Sequence, residues 1–224
     1  MQFKTADENI NKNIKVFGLI EAALTGNPAC VRALLASKAD VEVRDPYRMT
    51  ALMAAIFAGS VECVNILIDA GADIHAKAKD DDTALIIAAK LGHTECAQIL
   101  LETKADVNAA NVESWTALMI AAAEGHIGCM RLLLEAKADV DKTTNNGDTA
   151  LTLATCLGRL TSVQLLVEAK AKYGNMDLKI ARVKGFSEIV NILLKAKTRP
   201  MSAPESPSVA AHSISIQDAG SDHW

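Results

Sequence analysis

Two His-x-x-Cys pairs lie in the middle of the chain, His93 with Cys96 and His126 with Cys129. An imidazole and a thiolate at this spacing could supply two of the four ligands of a tetrahedral zinc site. A thiol beside an imidazole could also be redox-active. The third interpretation is structural, because a free cysteine behaves as a small hydrophobic core residue. The elements that position these pairs decide among the three.

The composition indicates a helical, reduced protein without a membrane segment. Half of the 224 residues are hydrophobic, mainly Ala and Leu, which favour helices, and only 4% are aromatic. The net charge of -4 gives no concentrated basic surface for nucleic acid. The polar N-terminus lacks a signal sequence, and no apolar run reaches the ~18 residues of a membrane span. Five cysteines, an odd number, argue against a disulfide framework, so we expect a monomer of the cytoplasm or nucleus.

An internal repeat of 33 residues organises the chain. Threonines recur at this interval at Thr50, Thr83, Thr116 and Thr149, and glycines at Gly26, Gly59, Gly92, Gly125 and Gly158. The aligned openings read TALMAAIFAGS, TALIIAAKLGH, TALMIAAAEGH and TALTLATCLGR. The Thr is the type of residue that caps a helix N-terminus, and the Gly suits a left-handed position at the helix end. Each unit therefore predicts two helices followed by a short polar hairpin, and stacked units predict an all-α solenoid.

The unit resembles the ankyrin repeat, whose pattern runs T-P-L-H-x-A-A-x-x-G-H and ends in G-A-D-V-N. The family's Pro is Ala in all four full units, and its His is replaced by Met53, Ile86, Met119 and Thr152. The family's Gly before Ala-Asp survives only as Gly71. Lysines replace it at Lys38, Lys104, Lys137 and Lys170. If these lysines adopt the left-handed conformation, each costs roughly 1 kcal/mol relative to Gly.

The resemblance predicts a solenoid over residues 14–197. It divides into an N-terminal cap at 14–44, repeats 1 to 4 at about 45–77, 78–110, 111–143 and 144–173, and a shortened C-terminal cap at 174–197. Residues 1–13 are an N-terminal extension. The Ser- and Pro-rich residues 198–224 have no helical pattern and are predicted to be a disordered tail. Ser206-Pro207 is either a site for a proline-directed kinase or part of an unmodified tail.

The repeat favours the structural interpretation of the cysteines. Four of them, Cys30, Cys63, Cys96 and Cys129, are 33 residues apart and so share one position in the second helix. Equivalent positions on neighbouring helices lie roughly 8–10 Å apart, too far for a disulfide or for one zinc ion. We therefore expect core packing at this position and no metal or cofactor. His93 and His126 close the turn before the helix, and Cys156 is expected to be partly exposed.

No catalytic constellation is present, so we do not expect an enzyme. The chain contains no Gly-rich phosphate loop, no H-E-x-x-H and no G-x-S-x-G. The carboxylates of residues 80–82 fall in a hairpin, where a solvated tip is the simpler interpretation than an acid–base pair.

The resemblance implies non-catalytic protein binding, or a scaffold role, through the hairpin tips and the ends of the first helices, which line a concave face. The predicted partner-binding residues are Tyr47, Met49, Phe57, Asp80, Asp82, Lys90, Leu91, Glu113, Trp115, Glu124 and Asp148. The aromatic residues among them are expected to anchor another protein, and the acidic ones favour a basic segment of that partner. The alternatives are regulatory inhibition, by masking a basic segment of a kinase or transcription factor, and packing of the aromatic residues on the neighbouring hairpin.

Overall fold

A computed structural model describes residues 18–198 of the chain, with side chains up to residue 196. Residues 18–24 form the described part of helix α1. Eleven further helices follow in this described range: α2 Pro28–Ala36, α3 Ala51–Phe57, α4 Val61–Asp69, α5 Ala84–Leu91, α6 Thr94–Glu102, α7 Ala117–Glu124, α8 Ile127–Glu135, α9 Ala150–Cys156, α10 Leu160–Glu168, α11 Asn175–Val183 and α12 Ser187–Thr198. The extension at 1–13, the first residues of the N-terminal cap, the tail beyond Thr198 and Ser206-Pro207 lie outside the described residues.

The first helix of each full repeat begins at the predicted threonine cap. The Thr50 hydroxyl accepts a hydrogen bond from the backbone N–H of Met53 at 3.3 Å, and Thr83 and Thr116 cap their helices in the same way. Each hydroxyl satisfies one of the N–H groups that a helix start leaves without a partner. The predicted caps are therefore present.

Left-handed residues end both helices of each repeat. Gly59, Gly92, Gly125 and Gly158 follow the first helices with φ between 68° and 83°. The lysines that replace Gly after the second helices adopt the same conformation: Lys38 at φ 61°, Lys104 at 72°, Lys137 at 65° and Lys170 at 62°. The expectation for these lysines is confirmed. Each one carries the steric cost that a Cβ incurs in this region.

The first helices form a continuous inner layer, and the second helices cover it. Helices α3, α5, α7, α9 and α11 pack in succession, and each contacts its own second helix. Six of the seven residues of α3 are buried, which is possible because Ala side chains let neighbouring helices approach closely. The family's His is replaced by buried Met53, Ile86 and Met119, so apolar packing occupies a position where a polar side chain would need partners.

The connections between repeats are hairpins rather than strands of a sheet. Isolated antiparallel bridges join Arg44 to Thr50, Lys77 to Thr83 and Ala110 to Thr116, and no named strand occurs between residues 18 and 198. The fold is therefore the predicted all-α repeat solenoid. Backbone hydrogen bonds also join successive hairpin tips, from the N–H of Lys79 to the carbonyl of Tyr47 at 2.9 Å.

The last unit is joined by a shorter connection. Six residues, 169–174, separate α10 from α11, whereas fourteen, 70–83, separate α4 from α5. The nearly buried Asp177 carboxylate fixes this shortened junction. It accepts a hydrogen bond from the Thr152 hydroxyl and one from the backbone N–H of Gly174, both at 2.8 Å. Thr152 stands in the family's His position, so in this repeat a side-chain hydrogen bond does form there.

Candidate functional site

The buried cysteines are packing residues. Cys63, Cys96 and Cys129 are buried and Cys156 is partly exposed, as expected, but the expectation of core packing is wrong for Cys30, which is exposed. The reason is visible at Cys129, whose sulfur lies 3.7 Å from the Thr94 hydroxyl and 4.0 Å from the Ala88 carbonyl oxygen. Both neighbours belong to the preceding repeat. Cys30 lies in the first described unit, which has no preceding repeat to cover it.

The environment of these thiols disfavours the thiolate. Burial raises the pKa of the Cys96 thiol, and the nearby Glu95 carboxylate and the Cys129 thiol raise it further. Burial also raises the pKa of Cys129, against a smaller opposite effect of the hydrogen bond with Thr94. A nucleophile or metal ligand needs the thiolate, so this setting suits packing. Among the described residues, no group of three or more His, Cys, Asp and Glu side chains could hold a metal ion.

The histidines do more than close a turn, because they contact the preceding repeat. A Cβ built on Gly92 would lie 2.7 Å from the His126 ring, so that ring fits against the glycine. His126 Nε2 is also 3.2 Å from the Lys90 carbonyl oxygen. Arg159, the equivalent residue in repeat 4, donates from Nε to the Ala123 carbonyl at 2.9 Å. The Gly-His dipeptide therefore combines a helix end with a contact across two repeats, which residue order within one unit does not reveal.

The hairpin tips and the ends of the first helices are here called the concave face, and the structure exposes large apolar side chains along it. Tyr47 at the first tip is 65% exposed, and Phe57 at the end of α3 is 52% exposed. Leu91 at the end of α5 and Val112 at the third hairpin tip are also exposed. These side chains gain nothing from packing within the repeat, so their apolar surface faces water.

Four of the predicted residues are only partly exposed and have structural contacts. Trp115 packs against the core, and its N–H donates to Asn111 Oδ1 at 3.0 Å. Met49 also packs on the core, with its N–H donating to an Asp45 carboxylate oxygen. The two remaining carboxylates also take part in hairpin contacts: Asp82 accepts from the Asn111 side chain at 2.9 Å, and the backbone N–H of Asp148 donates to the Thr144 hydroxyl. These residues therefore shape the hairpins and offer only part of their surface to a partner.

The other charged residues in the predicted set are freely presented. Asp80, Glu113, Glu124 and Lys90 are exposed. Among the described residues, the ion pairs join Arg32 to Glu62, Lys77 to Asp81 and Lys172 to Asp141, and none includes those four. Their charges are therefore available to a partner, although Lys90 reduces the acidic character of the face.

The prediction missed part of the apolar row. Nine large hydrophobic residues are exposed within the described range, and seven of them lie at hairpin-tip or first-helix-end positions: Leu24, Tyr47, Phe57, Leu91, Val112, Leu157 and Val183. The other two are Met176 and Leu194 in the C-terminal unit. Val183 is 79% exposed and lies two residues before Gly185, the same offset as Phe57 before Gly59. Alignment on the glycines could have identified it as the C-terminal member of the row.

Comparison with known families matches the ankyrin-repeat model, described as ankyrin repeats in three copies, to residues 3–78, 19–111, 76–144 and 103–177. These matches span most of the chain, and the protein belongs to the ankyrin-repeat family. Ankyrin repeats are generally protein-interaction modules, and the family is typically non-catalytic. A comparison with curated proteins finds no match. None of the helices described between residues 18 and 198 is both long and apolar enough to cross a bilayer.

Proposed function

We propose that the protein is a non-catalytic interaction module, or scaffold, that binds another protein on the concave face. The observation that carries this proposal is the concentration of exposed apolar side chains on one face: seven of the nine large ones in the described range. Scattered apolar residues are normal on a surface, whereas an aligned group is typical of an interaction site. The predicted partner-binding residues stay a proposal, with Tyr47, Phe57 and Leu91 as the apolar anchors.

The rigidity of the face supports this proposal. Backbone hydrogen bonds link each hairpin tip to the next: Lys79 to Tyr47 at 2.9 Å, Val112 to Asp80 at 3.1 Å and Asn145 to Glu113 at 3.1 Å. Trp115 anchors the third hairpin on the core. A surface that is ordered before binding loses little conformational freedom when a partner docks, which favours affinity.

The second candidate function is inhibition by masking a basic segment of a kinase or transcription factor. The exposed carboxylates of Asp80, Glu113 and Glu124, which form no ion pair within the described range, favour this candidate. Binding of a basic segment would weaken steeply with salt, whereas binding through the apolar row would not. The salt dependence of a captured complex therefore separates the two candidates.

The test compares two variants that remove equally exposed apolar surface. One carries Tyr47→Ser, Phe57→Ser and Leu157→Ser on the concave face, and the matched control carries Met176→Ser and Leu194→Ser away from the main row. Quantitative pull-downs from cell extract should lose specific partners with the first variant only. Circular dichroism checks that both variants are folded. Partners that are kept by the concave-face variant, or lost equally in both, would contradict the proposal.

A further inference from the structure

Three seams, the contact surfaces between consecutive full repeats, differ on the side of the loop that follows each second helix. At the seam between repeats 2 and 3, Asn108 Oδ1 accepts from the N–H of Asp139 at 2.8 Å. At the seam between repeats 3 and 4, Asp141 Oδ1 accepts from the N–H of Lys172 at 2.8 Å. The equivalent residues between repeats 1 and 2 are His75 and Asp106. Within the described part of the chain, the N–H of Asp106 has no hydrogen-bond acceptor.

The Gly-turn side shows the same difference. His126 bonds to the Lys90 carbonyl between repeats 2 and 3, and Arg159 bonds to the Ala123 carbonyl between repeats 3 and 4. The equivalent residue between repeats 1 and 2 is His93, whose ring lies against Gly59. Over residues 18–198, this ring makes no corresponding hydrogen bond to the preceding repeat. The seam between repeats 1 and 2 therefore lacks both of these cross-repeat bonds.

Packing is also incomplete at that seam. A cavity of about 120 Å³ lies between the loop of repeat 1 and the start of repeat 2. Its lining includes His75, Thr83, Leu85, Asp106 and Ala109. The hairpin side of the same seam is intact, since Lys79 bonds to the Tyr47 carbonyl and Arg44 donates to the Lys77 carbonyl at 3.3 Å. One edge of the seam is therefore held while the other two are weakly joined.

We infer that the solenoid opens first between repeats 1 and 2, by a hinge at the hairpins. A net hydrogen bond changes an equilibrium constant by about fivefold, so two missing bonds favour opening by roughly twentyfold over the other seams. In a solenoid, each seam contributes its own term to stability, so such a difference stays local. The opening moves Tyr47 and Phe57 relative to Leu91 and Leu157, and so changes the concave face whether or not a partner is bound.

The buried cysteines report on individual seams. Cys129 of repeat 3 contacts Ala88 and Thr94 of repeat 2, so it becomes accessible when the seam between repeats 2 and 3 opens. Cys96 occupies the equivalent position in repeat 2, and it is 1% exposed. Its alkylation rate under native conditions therefore reports on the seam between repeats 1 and 2. Peptide mass spectrometry of the full chain separates the five cysteines.

We expect Cys96 to react roughly twentyfold faster than Cys129, once each rate is divided by that thiol's rate in denaturant. His75→Asn copies Asn108 and should slow Cys96 about fivefold without affecting Cys129. The matched control, Asn108→Ala, should accelerate Cys129 about fivefold without affecting Cys96.

A second variant covers the case in which His75→Asn fails to fold. Ala109→Val fills the cavity with the residue that Val43 provides at the equivalent position, and it should also slow Cys96 selectively. Equal corrected rates at Cys96 and Cys129 would overturn the inference. So would folded His75→Asn or Ala109→Val proteins in which Cys96 reacts as fast as in the parent chain. The measurement needs no partner, so its outcome is independent of the proposed binding function.

Discussion

The lysines in left-handed positions make a sharp stability prediction, because the chain contains its own counterexample. Lys104 and Lys137 have φ of 72° and 65°, whereas Gly71 occupies the equivalent position in repeat 1 with φ 88°. A left-handed L-residue costs about 1–2 kcal/mol, and the greater flexibility of an unfolded glycine offsets about 0.5–1 kcal/mol. We therefore expect Lys104→Gly and Lys137→Gly each to raise the free energy of unfolding by about 0.5–1 kcal/mol.

The reciprocal change, Gly71→Lys, isolates the backbone effect. No atom lies within 4 Å of a Cβ built on Gly71, so the substitution introduces strain without a clash. It should lower the free energy of unfolding by the same amount, about 0.5–1 kcal/mol. Lys104→Ala removes the same charge as Lys104→Gly but keeps a Cβ in the left-handed region, so it controls for electrostatics and should have little effect.

Urea unfolding followed by circular dichroism measures these differences. The midpoint should shift while the dependence of free energy on urea stays constant, because the area exposed on unfolding is unchanged. The reasoning is refuted if Lys104→Gly and Gly71→Lys shift stability in the same direction. It is also refuted if Lys104→Ala stabilises as much as Lys104→Gly, because the gain would then come from lost charge.

Three other sites give separate predictions. Gly92→Ala should cost about 2–3 kcal/mol in urea unfolding, since its Cβ would displace the His126 ring as well as strain the backbone; a loss below 1 kcal/mol would contradict the close contact. Thr155→Val should stabilise by about 1 kcal/mol in the same assay, because the buried Thr155 hydroxyl has no partner within the described chain; destabilisation would contradict this. Folding raises the pKa of Cys96 and Cys129, so their stabilisation is complete below the ordinary thiol pKa of 9.0 and is lost as the pH rises toward the folded values. Thermal melts should show a smaller decrease above pH 9 in Cys96→Ala than in the parent, and equal decreases would contradict the burial effect.

The fold could be predicted because its determinants act within one unit. A Thr cap bonds three residues ahead, and a left-handed Gly ends the helix that precedes it, so both signals are local. Their recurrence every 33 residues made each unit a check on the others. Even the conformation of the lysines followed from their alignment with Gly71, since the backbone geometry of the repeat outweighs the preference of the residue.

Burial was harder to predict, because it depends on the neighbouring unit. Cys30 and Cys129 share one position in the repeat, but only Cys129 is covered by a preceding repeat. The same limit affected the candidate site at the third hairpin. Residue type favoured Trp115 as an exposed anchor, whereas the structure packs this indole on the core and exposes Val112 at the tip. The direction of a side chain at a hairpin follows from its turn, and the repeat pattern does not encode it.

Differences between seams arise from the same dependence on neighbours. His93 and His126 occupy equivalent positions in similar sequences, yet only His126 bonds to a carbonyl of the preceding repeat within the described structure. A regular repeat therefore specifies a regular backbone while leaving each seam to be set by its own side chains. Since solenoid stability is the sum of unit and seam contributions, one substitution at His75 or His93 can change where the array opens without altering its fold. In this protein the weak seam separates Tyr47 and Phe57 from the rest of the apolar row, so any partner that spans the row must also hold that seam closed.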